Sequence, residues 1–183
     1  MKIKMLSLFM MLCSSLMTSA VFAADLKIGD PAPLFTGKTQ DNKDFSLASR
    51  KGQWTVLYFY PKAGTPGCTT QACAFRDSIE KIHAQGAEVY GVSADTVKDQ
   101  ADFHEKHHLN FALIADPDDK IVDLYGTKMP MLKFSKRWTF ILDPDLKIRM
   151  VEKDVDPALD ADKVAKQIAD MKSPSNTAAK VQK

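Results

Sequence analysis

The sequence predicts an α/β domain in which helices cover both faces of a mixed central sheet. β-prone runs alternate with amphipathic helical stretches along most of the chain, the pattern that builds strand–helix–strand units. Two late β-prone runs are joined by a short turn, as suits an antiparallel hairpin attached to that sheet. With 183 residues, 45% of them hydrophobic, the chain can bury one core without disulfide staples.

Trp54 to Tyr60 is an uninterrupted β-prone run, as expected for a central strand covered on both faces. Thr65-Pro66 then reads as a helix N-cap followed by proline at the first helical position. Cys68, Ala72, Phe75, Ile79 and Ile82 recur at 4-3-4-3 spacing, one buried stripe, and Gly86 is placed to stop the helix. A second strand, Glu88 to Ser93, precedes an amphipathic helix from about Val97 to His107. Phe111 to Ile114 is the next strand, and Asp116-Pro117-Asp118-Asp119 turns into a short helix ending near Tyr125. Arg137 to Leu142 and Lys147 to Val151 flank the hairpin loop Asp143-Pro144-Asp145-Leu146. A final helix runs from about Pro157 to Met171. No repeat and no second domain are visible.

The ends of the chain read differently. Residues 1–23 have the form of a secretory signal: Lys2 and Lys4, then a Met-, Leu- and Phe-rich run to Met17, then Val21-Phe22-Ala23 before the cleavage point. Serines and threonines make the segment too polar for a stable membrane span. Met10-Met11-Leu12 lacks the small residues that precede a lipidated cysteine. Export to the periplasm is therefore expected, with no membrane attachment after cleavage. Residues 24–172 form the folded domain, and 173–183 a small, polar, flexible tail.

Removing the signal changes the arithmetic. It holds two of the 25 basic residues and no acid, leaving 23 basic against 23 acidic residues. A charge-balanced domain lacks the concentrated basic surface of a nucleic-acid binder. The signal also takes Cys13, leaving Cys68 and Cys73 of the three cysteines.

Those two define the informative segment, Tyr60-Pro61-Lys62-Ala63-Gly64-Thr65-Pro66-Gly67-Cys68. It joins a buried strand to a helix N-terminus and sets a cysteine in the first turn, where free backbone N–H groups and the helix dipole favour the nucleophilic thiolate. Cys68 begins the apolar stripe and so faces a pocket. Thr65 offers a hydroxyl to the same place, and Pro61 shields the sulfur without adding a backbone donor. Cys73 lies five residues on. In one regular helix the two residues are ~140° apart around the axis with ~7.5 Å of rise, so their Cα atoms are about 8.6 Å apart. A disulfide tolerates at most roughly 7 Å, so bonding requires the helix start to unwind. The spacing suits a bond made at one stage of a cycle rather than a static staple.

The stretch from Tyr58 to Asp77 resembles the active-site segment of peroxiredoxins, and in particular the PrxQ group, also called bacterioferritin comigratory protein. Pro61, Thr65 and Cys68 meet its Pro-x-x-x-Thr-x-x-Cys element, and Cys73 falls where many members carry a resolving cysteine. Gly29-Asp30-Pro31-Ala32-Pro33, Gly91-Val92-Ser93 and Arg137-Trp138-Thr139-Phe140-Ile141 extend the similarity over Leu26 to Met171. The resemblance implies a thioredoxin-like fold and a thiol peroxidase of the atypical two-cysteine kind. Cys68 would attack hydrogen peroxide or an organic hydroperoxide and become sulfenic acid. Arg137 would lower the thiol pKa and hold the peroxide, Thr65 would hydrogen-bond the thiolate or the peroxide, and Pro61 would shield the sulfur. Cys73 would form a disulfide with Cys68 that a thioredoxin-like reductant reopens. No cofactor or metal is implied, and PrxQ-like proteins are often monomeric. Gln71 stands where the family commonly has glutamate and receives no role. The stretch Thr127 to Lys136 departs from the family's glycine-containing loop, with Met129 and Met131 able to form an apolar collar or simply to pack.

Other readings compete. An exported thiol–disulfide oxidoreductase would share the fold, but such enzymes use Cys-x-x-Cys, whose sulfurs bond without unwinding. A copper or zinc carrier would leave Thr65 and Arg137 unexplained. His104-Glu105-Lys106-His107-His108 matches the zinc-protease pattern H-E-x-x-H, yet it lies at a charged helix end, and the remaining histidine, His83, is on another helix. The aspartates from Asp116 to Asp123 lack a calcium loop's glycine and spacing, and Gly64 and Gly67 lack a phosphate loop's Lys-Ser/Thr. Trp54 and Trp138 lie in strands and read as core or sheet-surface residues.

Overall fold

The computed structural model describes residues 25–173. The stretch read as a secretory signal and the tail beyond Ser173 lie outside the described residues. In chain order the elements are β1 (Thr36–Thr39), β2 (Asp44–Ser46), a 3-10 turn (Leu47–Arg50), β3 (Trp54–Phe59), α1 (Pro66–His83), β4 (Ala87–Ser93), α2 (Val97–Lys106), β5 (Ala112–Ala115), α3 (Lys120–Leu124), β6 (Trp138–Leu142), β7 (Ile148–Glu152) and α4 (Asp160–Lys172).

The strands form one sheet in the order β2-β1-β5-β4-β3-β6-β7. β3 pairs parallel with β4, and β4 with β5, through the crossovers α1 and α2. β6 joins β3 antiparallel, with Thr139 opposite Tyr58, and the β6–β7 hairpin closes that side. Strand alternation divides the interior into two cores. On one face α1, α2 and α4 bury Cys68, Phe75, Ile79, Phe103, Val164 and Ile168 against Val56, Tyr58 and Tyr60. On the other, α3 and the N-terminal segment bury Phe35, Leu47, Ile121 and Tyr125 against Leu57, Phe59 and Phe140. Every residue of β3 after Trp54 is buried, which is why that run carries no polar alternation.

The helix stripe predicted for α1 is the buried one; the helix ends at His83, and the turn after it passes through Gly86, whose φ of +67° is the left-handed conformation glycine adopts cheaply. α4 begins at Asp160 rather than near Pro157. Residues 157–159 form a turn instead, with the Asp156 carboxylate accepting from the Ala158 N–H at 2.9 Å. The β1–β2 hairpin has no counterpart in the sequence reading: its strands are four and three residues long, too short and too polar for a period-two pattern to register.

Candidate active site

Three elements converge at the C-terminal edge of β3. Tyr60 still donates its N–H to Val92 O at 3.1 Å, but Pro61 has no N–H to continue the ladder, and the chain leaves the sheet. Asp95, just beyond β4, fixes the loop: its Oδ2 accepts from the Ala63 N–H at 2.8 Å and from Ser93 Oγ at 2.7 Å. Pro66 opens α1, and Cys68, in its first turn, is only 1% exposed. Thr65 occupies the N-cap position with extended backbone angles yet makes no side-chain cap bond. Its hydroxyl donates instead to Lys62 O at 3.0 Å, leaving the oxygen's lone pairs free to accept. The first turn of α1 carries no acidic residue, so the positive end of the helix dipole is directed at the sulfur's surroundings without a competing carboxylate of its own.

Arg137, immediately before β6, supplies a full positive charge. Its Nη2 lies 3.5 Å from Cys68 Sγ, and its Nη1 donates to Gln71 Oε1 at 2.6 Å. Gly67 makes room for this approach: a Cβ there would sit 3.2 Å from Nη2. The structure thus brings Cys68 and Arg137, 69 residues apart in sequence, into direct contact. Pro61 and Thr65 lie on the intervening loop, both half-buried.

Gln71 has a place the sequence reading did not assign. It is fully buried, its Oε1 takes the Arg137 proton, and its Nε2 donates to Asp160 Oδ2 at 2.7 Å. Thr139 Oγ1 donates to the same oxygen, also at 2.7 Å. Burial holds the Asp160 carboxyl above the usual carboxylate range, while the Thr139 and Gln71 hydrogen bonds pull it down. Gln71 was findable from its spacing, since it lies three residues after Cys68 on one helix face. Asp160 carried no such signal.

Cys73 is half-buried in the same uninterrupted helix, and both cysteines are free thiols. With α1 wound through both residues, the separation worked out for a regular helix applies to the folded state.

Of the two methionines in the loop from Thr127 to Lys136, Met131 joins neither a collar nor the packed interior. Lys128 and Ser135 make an isolated antiparallel bridge, and Met131, at the loop's tip with φ +63°, stands fully in solvent. Phe134 approaches the cysteine segment, its ring centroid 5.8 Å from Lys62 Nζ. Elsewhere, His107 packs edge-on against Phe103, with ring centroids 5.1 Å apart. Among the described residues no group of three or more His, Cys, Asp or Glu side chains is arranged to hold a metal.

Comparison with known proteins converges on one group. Residues 28–151 match the model of the AhpC/TSA family. The chain is 37% identical over 126 residues to the peroxiredoxin bcp of Coxiella burnetii, covering 66% of this chain and 83% of that protein. It is 44% identical over 137 residues to the chloroplastic peroxiredoxin Q of Populus jackii, covering 71% of this chain but only 61% of that longer protein. Among solved structures, the bacterioferritin comigratory protein of Xanthomonas campestris, described for alkyl peroxide reduction, superposes with a TM-score of 0.72 at 28% identity. That match covers 80% of this chain and 98% of the other.

Proposed function

The chain belongs to the AhpC/TSA family, among its peroxiredoxins of the PrxQ and bacterioferritin comigratory type, and on that premise we propose that Cys68 is its peroxide-attacking thiolate. The fold is the thioredoxin-like one of those proteins. The observation that carries the assignment is the 3.5 Å contact between Arg137 Nη2 and a buried cysteine sulfur at a helix N-terminus. A cation and a helix dipole both favour the thiolate there.

The Cys68 thiolate attacks one oxygen of a hydroperoxide, an S–O bond forms, and the O–O bond breaks. The departing alkoxide or hydroxide takes a proton and leaves as an alcohol or water. Arg137 stabilises the charge that develops on the leaving oxygen, and the Thr65 oxygen accepts a hydrogen bond from the peroxide's O–H. Pro61 and the loop behind it limit water at the sulfur. Cys73 then attacks the sulfenic sulfur and displaces the oxygen as water, leaving a Cys68–Cys73 disulfide. A thioredoxin-like dithiol supplies the two electrons that reopen it.

Hydrogen peroxide and small organic hydroperoxides are the proposed substrates, the latter in keeping with the alkyl peroxide activity described for the Xanthomonas campestris relative. Export to the periplasm is proposed from the composition of residues 1–23, and a monomer from the PrxQ resemblance. The deciding experiment mixes anaerobically reduced protein with one equivalent of peroxide. Rapid loss of one thiol at Cys68, then a Cys68–Cys73 disulfide by mass spectrometry, is the expected result. Slow, non-selective oxidation combined with turnover in an insulin-reduction assay would favour a thiol–disulfide oxidoreductase instead.

A further inference from the structure

Arginine donates hydrogen bonds and cannot accept one, so Gln71 can serve Arg137 only through its carbonyl oxygen. A side-chain amide has a second face, related by a half-turn, that would aim its NH2 group at the guanidinium, donor against donor. Something must hold the amide the right way round, and burial prevents water from doing it: Gln71 has no exposed surface. The group in place is Asp160, at the first position of α4, whose Oδ2 takes the Gln71 Nε2 proton and is itself steadied by Thr139 Oγ1. Four side chains from α1, α4, β6 and the residue before it thus form one path, Thr139–Asp160–Gln71–Arg137, ending at the Cys68 sulfur.

We propose that Asp160 is a positioning residue for the peroxide reaction, locking the Gln71 amide in the orientation that presents Arg137 to Cys68. The proposal rests on the reading of Cys68 as the attacking thiolate. Because both donors aim at one oxygen, the lock needs an acceptor atom rather than a negative charge. The other oxygen, Oδ1, is buried without a protein hydrogen bond, so an asparagine amide placed there displaces no bond that exists. A glutamate at position 71 would need no lock at all, since both of its oxygens accept.

The test is a cycle of four proteins plus one conservative variant, each checked for folding by circular dichroism and thermal melting. Two readouts are the rate of Cys68 oxidation by hydrogen peroxide and the pH profile of Cys68 alkylation by iodoacetamide in Cys73→Ser proteins. Asp160→Ala is expected to slow oxidation roughly 10- to 100-fold, the scale for misplacing a reacting group, and to raise the thiol pKa. Asp160→Asn is expected to stay near the parent in both. In the Gln71→Glu background there is no amide to orient and two carboxylates would meet, so adding Asp160→Ala should slow oxidation by no more than about twofold, the two changes coupling rather than adding as contacting residues do. A folded Asp160→Ala protein with parental rate and pKa would overturn the proposal. So would equal losses in the Gln71 and Gln71→Glu backgrounds, which is the behaviour of a residue that only supports the fold. If Asp160→Ala does not fold, an Asp160→Asn protein as impaired as Arg137→Met overturns it on its own. Alkylation needs no peroxide, so a parent protein inert to peroxide would sink the peroxidase reading while leaving the positioning result legible.

Discussion

Two strand–helix junctions on the same sheet treat the same physical opportunity in opposite ways. β3 feeds α1 and β5 feeds α3, each exposing the unpaired N–H groups that any helix start presents. At the second junction the protein supplies its own anion. The Asp116 carboxylate accepts from the N–H groups of Lys120, Ile121 and Val122 at 2.8 to 2.9 Å, and the site is closed. At the first junction the N-cap hydroxyl turns away to Lys62 O, no acid stands in the first turn, and that turn holds a buried thiol with an arginine beside it. α2 follows the closed pattern, with Thr96 and Asp99 capping each other's backbone. The difference teaches that the reactive site is where a local stabilising interaction is withheld.

That contrast can be broken most easily at its active end. Arg137→Met should slow Cys68 oxidation by roughly 10²- to 10³-fold, as for the loss of one charge-stabilising donor, and should raise the thiol pKa. Stopped-flow oxidation and alkylation against pH measure both, and unchanged values would mean the open junction owes nothing to the arginine. Asp116→Ala should do the reverse, costing about 1–3 kcal/mol of stability in denaturant unfolding while leaving the oxidation rate alone. Burial pushes the Asp116 carboxyl up from 3.8 to about 6, against the pull of its backbone donors. The folded state then binds more protons than the unfolded chain in that window, so stability should fall as pH rises through it. Asp116→Asn should remove that slope. The smallest effects are at the caps themselves. Thr96→Ala should cost about 1 kcal/mol and no activity, whereas Thr65→Ala should cost clearly less stability and slow oxidation. Equal stability losses for the two threonines would erase the distinction between a closed and an open junction.

The sequence shows most clearly what is dictated locally. β3 is legible because a strand buried on both faces must be apolar throughout, and α1 because its stripe and its proline and glycine ends agree. Cys68, Thr65 and Pro61 were legible as a segment, and Arg137 only through resemblance, since no spacing links it to a cysteine 69 residues away. β1 and β2 escaped notice because three or four residues carry no usable period. The place of the loop methionines was not legible for another reason: apolar character does not say which way a loop turns, and Met131 stands in solvent. Asp160 is the instructive omission. On sequence it is one of several aspartates around a helix start, and only the docking of α4 on α1 gives it Gln71 as a partner.

The unbroken winding of α1 through Cys68 and Cys73 also bears on the redox energetics of the proposed cycle. Closing the disulfide requires the first turns to open, taking Cys68, Gln71 and Ala72 out of their buried positions. The free energy of rewinding is therefore returned whenever the disulfide is reduced, and it appears as a higher reduction potential, about 30 mV for each 1.4 kcal/mol. A tighter helix start gives an oxidised form that a dithiol partner reopens more readily, at the expense of a slower approach by Cys73. The strength of one helical segment thus sets how strongly the enzyme draws electrons from its reductant.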